Sequence, residues 1–278
     1  MIKPFGNLLG KAAGKGDVFL ETAEGWSFRV KRGSLARLGL LLLGIPHMGL
    51  RMRAHYLLPL LSKRFKRSSS LRVLDDGCGF GLYCMELANR GFPGVVGIDV
   101  DIDRVKAATQ AARNLGLSCD FLVADAQNLP FKGGAFQVVL STEVIEHLPD
   151  DESAVKEISR VLGKDGSLCL STPGGSHLSE HVEHSMGHER AGYDREALYS
   201  LLEGQGLTID SARPYGTVFG SLSWKANRVL LAGIPKSIPF LLSSFYPLVA
   251  MALLDRWAQM VIPNPKSYVG WIVTAVKQ

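Results

Sequence analysis

Val73-Leu74-Asp75-Asp76-Gly77-Cys78-Gly79-Phe80-Gly81 is the stretch on which the reading of this chain turns. A short apolar run ends in acid, meets a glycine-rich turn, and is followed at Leu82–Arg90 by a helical pattern. Glycines let the backbone bend tightly and approach a ligand with no Cβ in between. A GxGxG turn alone is a weak sign, and spacing strengthens it. Asp99 closes the next expected strand, Gly94–Asp99, eighteen residues beyond Gly81, where a carboxylate can accept from ribose hydroxyls. Asp125 follows a third strand, Ser118–Ala124. Acid therefore closes three strands along one carboxyl edge, the edge at which open α/β sheets bind ligands.

Outward from this unit the alternation continues. Strands are expected at Leu71–Asp75, Phe136–Ser141, Ser167–Thr172 and Leu207–Ala212, and helices at Arg104–Leu115, Asp151–Leu162 and Asp194–Glu203. Such alternation predicts an α/β, doubly wound, Rossmann-like sheet. Ahead of it, 1–70 reads as a basic extension with a small hairpin over Asp17–Val30 and helices at Leu35–Leu43 and Leu50–Lys66. The core is expected over 71–213, an apolar helical insert or lid over 214–266, and the last strand of the core within 267–278.

Charge divides along the same lines. Residues 1–72 carry 14 Lys and Arg against 3 Asp and Glu, residues 73–221 carry 11 against 22, and residues 222–278 carry 6 against 1. A basic head and tail around an acidic centre point to flanks that meet an anionic surface. Four cysteines without a CxxC pair fit a reducing compartment and exclude a disulfide scaffold or zinc finger. Met1–Gly16 has no continuous apolar run of the secretory kind, so the expected location is cytoplasmic, peripheral at the inner face of the membrane. Only 13 uncharged residues separate Arg37 from Arg51, short of the ~20 that span a bilayer. The 18 between Lys236 and Asp255 are interrupted by Pro239 and Pro247 and read as a broken apolar hairpin at an interface or over a pocket.

A dinucleotide would call for GxGxxG and a pyrophosphate on the helix N-terminus, whereas acid in front of GxGxG suits a cation. S-adenosyl-L-methionine is such a cation, with a sulfonium, an ammonium and no phosphate. Here the chain resembles the class I S-adenosylmethionine-dependent methyltransferases over about 50–213 and the final strand. The resemblance rests on VLDDGCGFG, GIDVD (97–101), ADAQNLPF (124–131), STEVIEHLPD (141–150) and RVLGKDGSLCLSTP (160–173). It implies seven strands with the last antiparallel. It also implies that Asp75 and Gly77-Cys78-Gly79 hold the methionine part of the cofactor, that Asp99 takes the ribose with Val100 against the adenine, and that Asp125 and Ala126 contact the adenine. Asp76 reads as solvated or structural. Gln137 stands where the family commonly has Asp, from which a weaker local contact is expected.

Methyl transfer needs alignment, exclusion of water and, where the acceptor loses a proton, a base. The candidates are Glu143, Glu146 and His147, expected to share a face of one helical turn aimed at the carboxyl edge. His177, His181, His184 and His188 have metal-ligand spacing, yet the surrounding glycines favour a loop, and no metal is expected. His188, Arg190 and Tyr193 are expected to face the acceptor. Basic residues interleaved with leucines favour a lipophilic or membrane-presented small molecule over nucleic acid. Phe240 to Met251 would either wall its tail, fill a core or pair two copies as a homodimer. The expected reaction is O-methylation; C- or N-methylation, or a non-catalytic cofactor-binding subunit, are the alternatives.

Overall fold

The structure, a computed structural model, describes residues 5, 8, 18–21, 27–30, 48–64, 70–174, 189–217, 254, 257, 261 and 268–278. The helix expected at Leu35–Leu43, the segment 237–254 apart from Leu254, and the histidines at 177, 181, 184 and 188 lie outside them. Two compact units are present: one from 1–60 and 214–269, the other from 61–213 and 270–278.

In the first unit β1 (Val18–Glu21) and β2 (Ser27–Val30) pair antiparallel, Val18 opposite Val30. Helix α1 (Met48–Arg64) starts and ends two residues ahead of the expected Leu50–Lys66. Leu57, Leu58, Phe5 and Tyr215 are fully or almost fully buried, and Arg53 Nη1 lies 3.5 Å from the Tyr215 hydroxyl.

The second unit holds most of a seven-stranded sheet. Its strands are β3 (Val73–Asp76), β4 (Val95–Asp99), β5 (Cys119–Val123), β6 (Phe136–Thr142), β7 (Leu162–Pro173), β8 (Leu207–Tyr215) and β9 (Gly270–Lys277). Their order is β5-β4-β3-β6-β7-β9-β8, with β9 antiparallel to β7. β3 runs parallel to both β4 and β6, so the order reverses at β3 and opens a crevice at its carboxyl end. Residues buried on both faces account for the continuous apolar runs of β4 and β6. β7 begins at Leu162, five residues before the expected Ser167. Its first residues turn through Asp165, whose φ is 60°, before the long run of pairing with β6 and β9.

Helices α2 (Leu82–Asn89), α3 (Ile102–Leu115), α4 (Asp151–Val161) and α5 (Arg195–Gly204) connect the strands. Each of the last three opens on an aspartate that accepts from the first turn. Asp101 takes Asp103 N (2.8 Å), Asp150 takes Ser153 N (2.9 Å) and Asp194 takes Ala197 N (2.7 Å). Such caps satisfy amides that would otherwise lack partners, at roughly 1 kcal/mol each. α4 buries Ala154, Val155, Ile158 and Val161, the spacing of one helical face. Gln137 does make its local contact, its amide oxygen accepting from Arg72 N at 2.9 Å. Among the described residues no helix is long and apolar enough to cross a membrane.

Gly97, in the middle of β4, fixes how closely α2 and the glycine turn approach the sheet. A Cβ there would sit 2.7 Å from Cys84 Sγ and 2.9 Å from both Cys78 Sγ and Phe121 Cδ1. Gly97→Ala is therefore expected to destabilise the protein by about 1–3 kcal/mol through overpacking. Thermal unfolding should show a fall of several degrees, and an unchanged midpoint would mean that this contact layer is loose.

Candidate functional site

The turn after β3 is stitched to the end of β4. Cys78 N donates to Ile98 O (2.7 Å) and Gly79 N to Asp99 Oδ2 (2.8 Å), while Asp99 Oδ1 accepts from Asp101 N (2.9 Å). Gly77, Gly79 and Gly81 all have φ between 53° and 72°, a region that other residues rarely enter. A Cβ on Gly77 would also collide with Val144.

Asp75 and Asp76 are both buried. The Cys84 thiol donates to Asp75 Oδ2 (3.2 Å) and the Ser141 hydroxyl to Asp76 Oδ2 (3.1 Å). The Oδ1 atom of each has no hydrogen-bond partner among the described residues. Burial pushes the Asp75 and Asp76 carboxyls up to about 7. Asp76 and Asp99 add repulsion at Asp75, and Asp99 and Asp125 do so at Asp76. Full burial overturns the solvated reading of Asp76; the acid occupies an interior slot beside β6.

Asp99 closes β4 as expected, while β5 ends at Val123, one residue short of the expected strand, and leaves Asp125 two residues beyond it. Asp125 Oδ1 accepts from Gln127 N (2.8 Å), which shapes the turn around buried Ala126. Val100 is 76% exposed, an apolar face open to a ligand beside Asp99. The cofactor-side residues named from sequence are thus brought to one edge of the sheet.

On the other side of the crevice, the expected shared face of Glu143, Glu146 and His147 is not what forms. Glu143 sits ahead of the turn with φ 57°, its amide donating to Ser171 O (2.9 Å) and its Oε1 accepting from Ser171 Oγ (3.1 Å). Ile145–His147 is a single tight 3₁₀ turn rather than an α-helical one. Glu146 points inward and is fully buried, with Oε2 accepting from Thr172 Oγ1 (3.2 Å). Ser171 and Thr172 are successive on β7 and face opposite sides of the sheet, so the two glutamates separate with them. His147 is half-exposed, its Nε2 4.0 Å from Glu146 Oε1. That is ion-pair rather than hydrogen-bond distance, with a buried carboxylate behind an accessible imidazole.

Arg190 and Tyr193, expected at the acceptor, engage the protein itself. Arg190 bonds the carbonyls of Ile145 and Pro149, and the Tyr193 hydroxyl meets Asp151 and Arg190. His188 lies outside the described residues. Among the described residues no group of acidic, histidine and cysteine side chains has the arrangement of a metal site. Sequence reading missed Asp151, which it took only as a helix start, and Ser141, Thr172 and Cys84, whose hydroxyls and thiol bind the buried acids. Only the alternation of β6 and β7 hinted at where those hydroxyls point.

Residues 74–170 match the family described as a methyltransferase domain. A norajmaline N-methyltransferase of Rauvolfia serpentina is 35% identical over 113 residues, 40% of this chain and 39% of that protein. A ubiquinone biosynthesis O-methyltransferase of Chelativorans sp. (strain BNC1) is 33% identical over 107 residues, 38% of this chain and 42% of that one. This chain therefore spans about two fifths of the length of those relatives. The crystal structure of a geranyl diphosphate C-methyltransferase from Streptomyces coelicolor A3(2) shares the fold. Its TM-score is 0.59 at 15% identity, over 81% of this chain and 78% of that one.

The buried acids make a test of the site's electrostatics. With carboxyls raised from 3.8 to about 7, the native state holds more protons than the unfolded chain between about pH 4 and 7. Stability accordingly falls as pH rises through that window. Asp76→Asn is expected to raise the thermal midpoint at pH 8 relative to the unsubstituted protein, with the gap closing towards pH 4. A gap independent of pH would show that Asp76 stays charged in the native state.

Proposed function

We propose that this chain transfers the methyl group of S-adenosylmethionine to an oxygen of a lipophilic small molecule at an anionic membrane surface. The observation that carries the transfer itself is the acidic, glycine-stitched crevice at the carboxyl end of β3 within a methyltransferase domain.

The donor set fits the cofactor. Four acids, Asp75, Asp76, Asp99 and Asp125, converge there electrostatically, and two buried carboxylate oxygens lack partners. Negative potential of that kind favours a ligand bearing sulfonium and ammonium charge and disfavours a phosphate. Asp75 and Gly77-Cys78-Gly79 would hold the methionine part, Asp99 the ribose hydroxyls, exposed Val100 the adenine face, and Asp125 with Ala126 the adenine edge. The bound cofactor supplies a methyl carbon already activated by the sulfonium, so the protein's tasks are alignment, exclusion of water and proton removal. His147, its ring exposed and its Nε2 4.0 Å from the buried Glu146 Oε1, would accept the acceptor's proton. Glu143, fixed by Ser171 at the same crevice, adds negative charge on the acceptor side.

The oxygen and the lipophilic acceptor rest on different support. One matched relative is named for O-methylation in ubiquinone biosynthesis. The net charge of +11 over 1–72 and the apolar run between Lys236 and Asp255 fit an acceptor presented at a bilayer.

Calorimetry with S-adenosylmethionine and its demethylated product tests the first half, with about micromolar affinity expected for both. Asp99→Ala removes a charged acceptor contributing about 1.5–3 kcal/mol, so affinity should fall roughly 10- to 150-fold. Unchanged affinity would remove Asp99 from the site. For the second half, the protein is incubated with methyl-labelled cofactor and a cellular lipid extract, and products are identified by mass spectrometry. A labelled lipophilic ether is the expected product, and His147→Ala should lower its rate by about 10²–10⁴ with cofactor affinity kept. Label confined to water-soluble or macromolecular products overturns the lipophilic acceptor. Tight cofactor binding with no transfer to any fraction favours the non-catalytic subunit.

A further inference from the structure

We propose that Arg190, locked by Asp151 and Tyr193, is the positioning residue that holds the 145–149 turn and, through it, His147 on the acceptor side of the crevice. This rests on the methyltransferase reading for its purpose, though not for its geometry. Arg190 Nη1 donates to Ile145 O (2.8 Å) and Nη2 to Pro149 O (3.3 Å), so one guanidinium brackets His147 by the carbonyls two residues to either side. The fork is then fixed from behind. Nη1 also lies 3.0 Å from Asp151 Oδ2 and 3.0 Å from the Tyr193 oxygen, to which it donates. The Tyr193 hydroxyl donates to Asp151 Oδ2 (2.5 Å), and burial with that carboxylate keeps the phenol protonated.

The rest of the segment is pinned as well. Glu189 N donates to Glu146 O (3.0 Å), Tyr193 N donates to Pro173 O (3.0 Å), and Trp271 Nε1 donates to Tyr193 O (3.1 Å). Residues 145–149 have little regular structure of their own: one 3₁₀ turn with His147 N on Val144 O (2.9 Å) and Leu148 N on Ile145 O (3.3 Å). A turn this short does not hold a catalytic side chain to a fraction of an ångström by itself, whereas a planar guanidinium with two carbonyl acceptors and a carboxylate counter-charge does. The node also joins two places about forty residues apart in sequence: the 145–151 stretch between β6 and α4, and the chain entering α5. Its polar groups bond the protein at Ile145, Pro149 and Asp151.

The test uses the full chain with ¹³C-labelled histidine, the His147 ring signal being assigned by its loss in His147→Gln. Arg190→Ala is expected to move or broaden that signal and leave other assigned histidine signals in place. The affinity for S-adenosylhomocysteine should stay within about twofold. Arg190→Lys, whose compact ammonium reaches only one carbonyl well, should fall between. Arg195→Ala, which removes an exposed arginine bonded only to Tyr199 among its described side-chain hydrogen bonds, should move nothing at His147. Where an acceptor is found by the extract assay, Arg190→Ala should lower kcat about 10²-fold with a smaller change in KM, the signature of misplacement. If Arg190→Ala does not fold, Tyr193→Phe removes one member of the node and should give a smaller shift of the same signal. A His147 signal unmoved in a folded Arg190 or Tyr193 variant overturns the proposal. Loss of every histidine signal's position together with cofactor affinity assigns Arg190 a global structural role instead and also overturns it. Failure of the unsubstituted protein to bind S-adenosylhomocysteine refutes the methyltransferase reading by a separate readout.

Discussion

Two hydrogen bonds donated by backbone amides, Cys78 N to Ile98 O and Gly79 N to the Asp99 carboxylate, hold the glycine turn against the end of β4. Everything on the cofactor side follows from them. They set the start of α2, they orient Asp99, and they keep open the crevice that exists because the strand order reverses at β3. The constraint is mutual: Gly97 must lack a side chain so that Cys78 and Cys84 can lie over β4, and Gly77 must lack one so that Val144 can approach from β6. A carboxylate that accepts from two amides is fixed before any ligand arrives, so its remaining lone pairs face a ligand at little reorganisation cost.

The same edge concentrates acid to a degree that water alone would not tolerate. Asp75 and Asp76 are adjacent, fully buried, and each bonded through only one oxygen to a neutral donor. Without a cation, desolvation drives these carboxyls towards the neutral form near pH 7, and a bound cationic ligand reverses the balance. A cation bound beside these acids would lower both carboxyls, and the sulfonium and ammonium of S-adenosylmethionine are charges of that sign.

What was legible in the sequence was what is local. The glycine turn, Asp99 and Asp125 at or just past strand ends, and the helices capped by Asp101, Asp150 and Asp194 are each written within a dozen residues, and stand within two residues of the expected bounds. The acceptor side was not legible in the same way. Whether residues 145–147 make an α-helical or a 3₁₀ turn depends on hydrogen bonds from Glu143 to Ser171 and from Glu189 to Glu146, partners 28 and 43 residues apart. That choice sends Glu146 inward and His147 outward, a separation that helical spacing cannot predict. Asp76 escaped for a related reason: an acid beside a glycine turn looks solvated until the hydroxyl of Ser141, on a strand 65 residues later, is placed next to it.

The division also bears on where acceptor choice is encoded. Relatives named for N-methylation and for O-methylation match this chain almost equally, at 35% over 113 residues and 33% over 107. Identity of that extent tracks a shared domain, of which 74–170 is the matched part here, and does not separate the atom methylated. On the proposed reading, chain outside the shared stretch is where a few contacts can reject a wrong acceptor without disturbing the donor site. In this protein the segments outside it carry the basic head, the apolar run near 237–254 and the Arg190–Tyr193 node. Of these, the node reaches into the matched stretch at described atoms on the side of His147, through Ile145, Pro149 and Asp151, whereas Arg72 of the basic head meets it at Phe136 and Gln137. Variation around it can thus retune the acceptor side while Asp75, Asp99 and the glycine turn stay as they are.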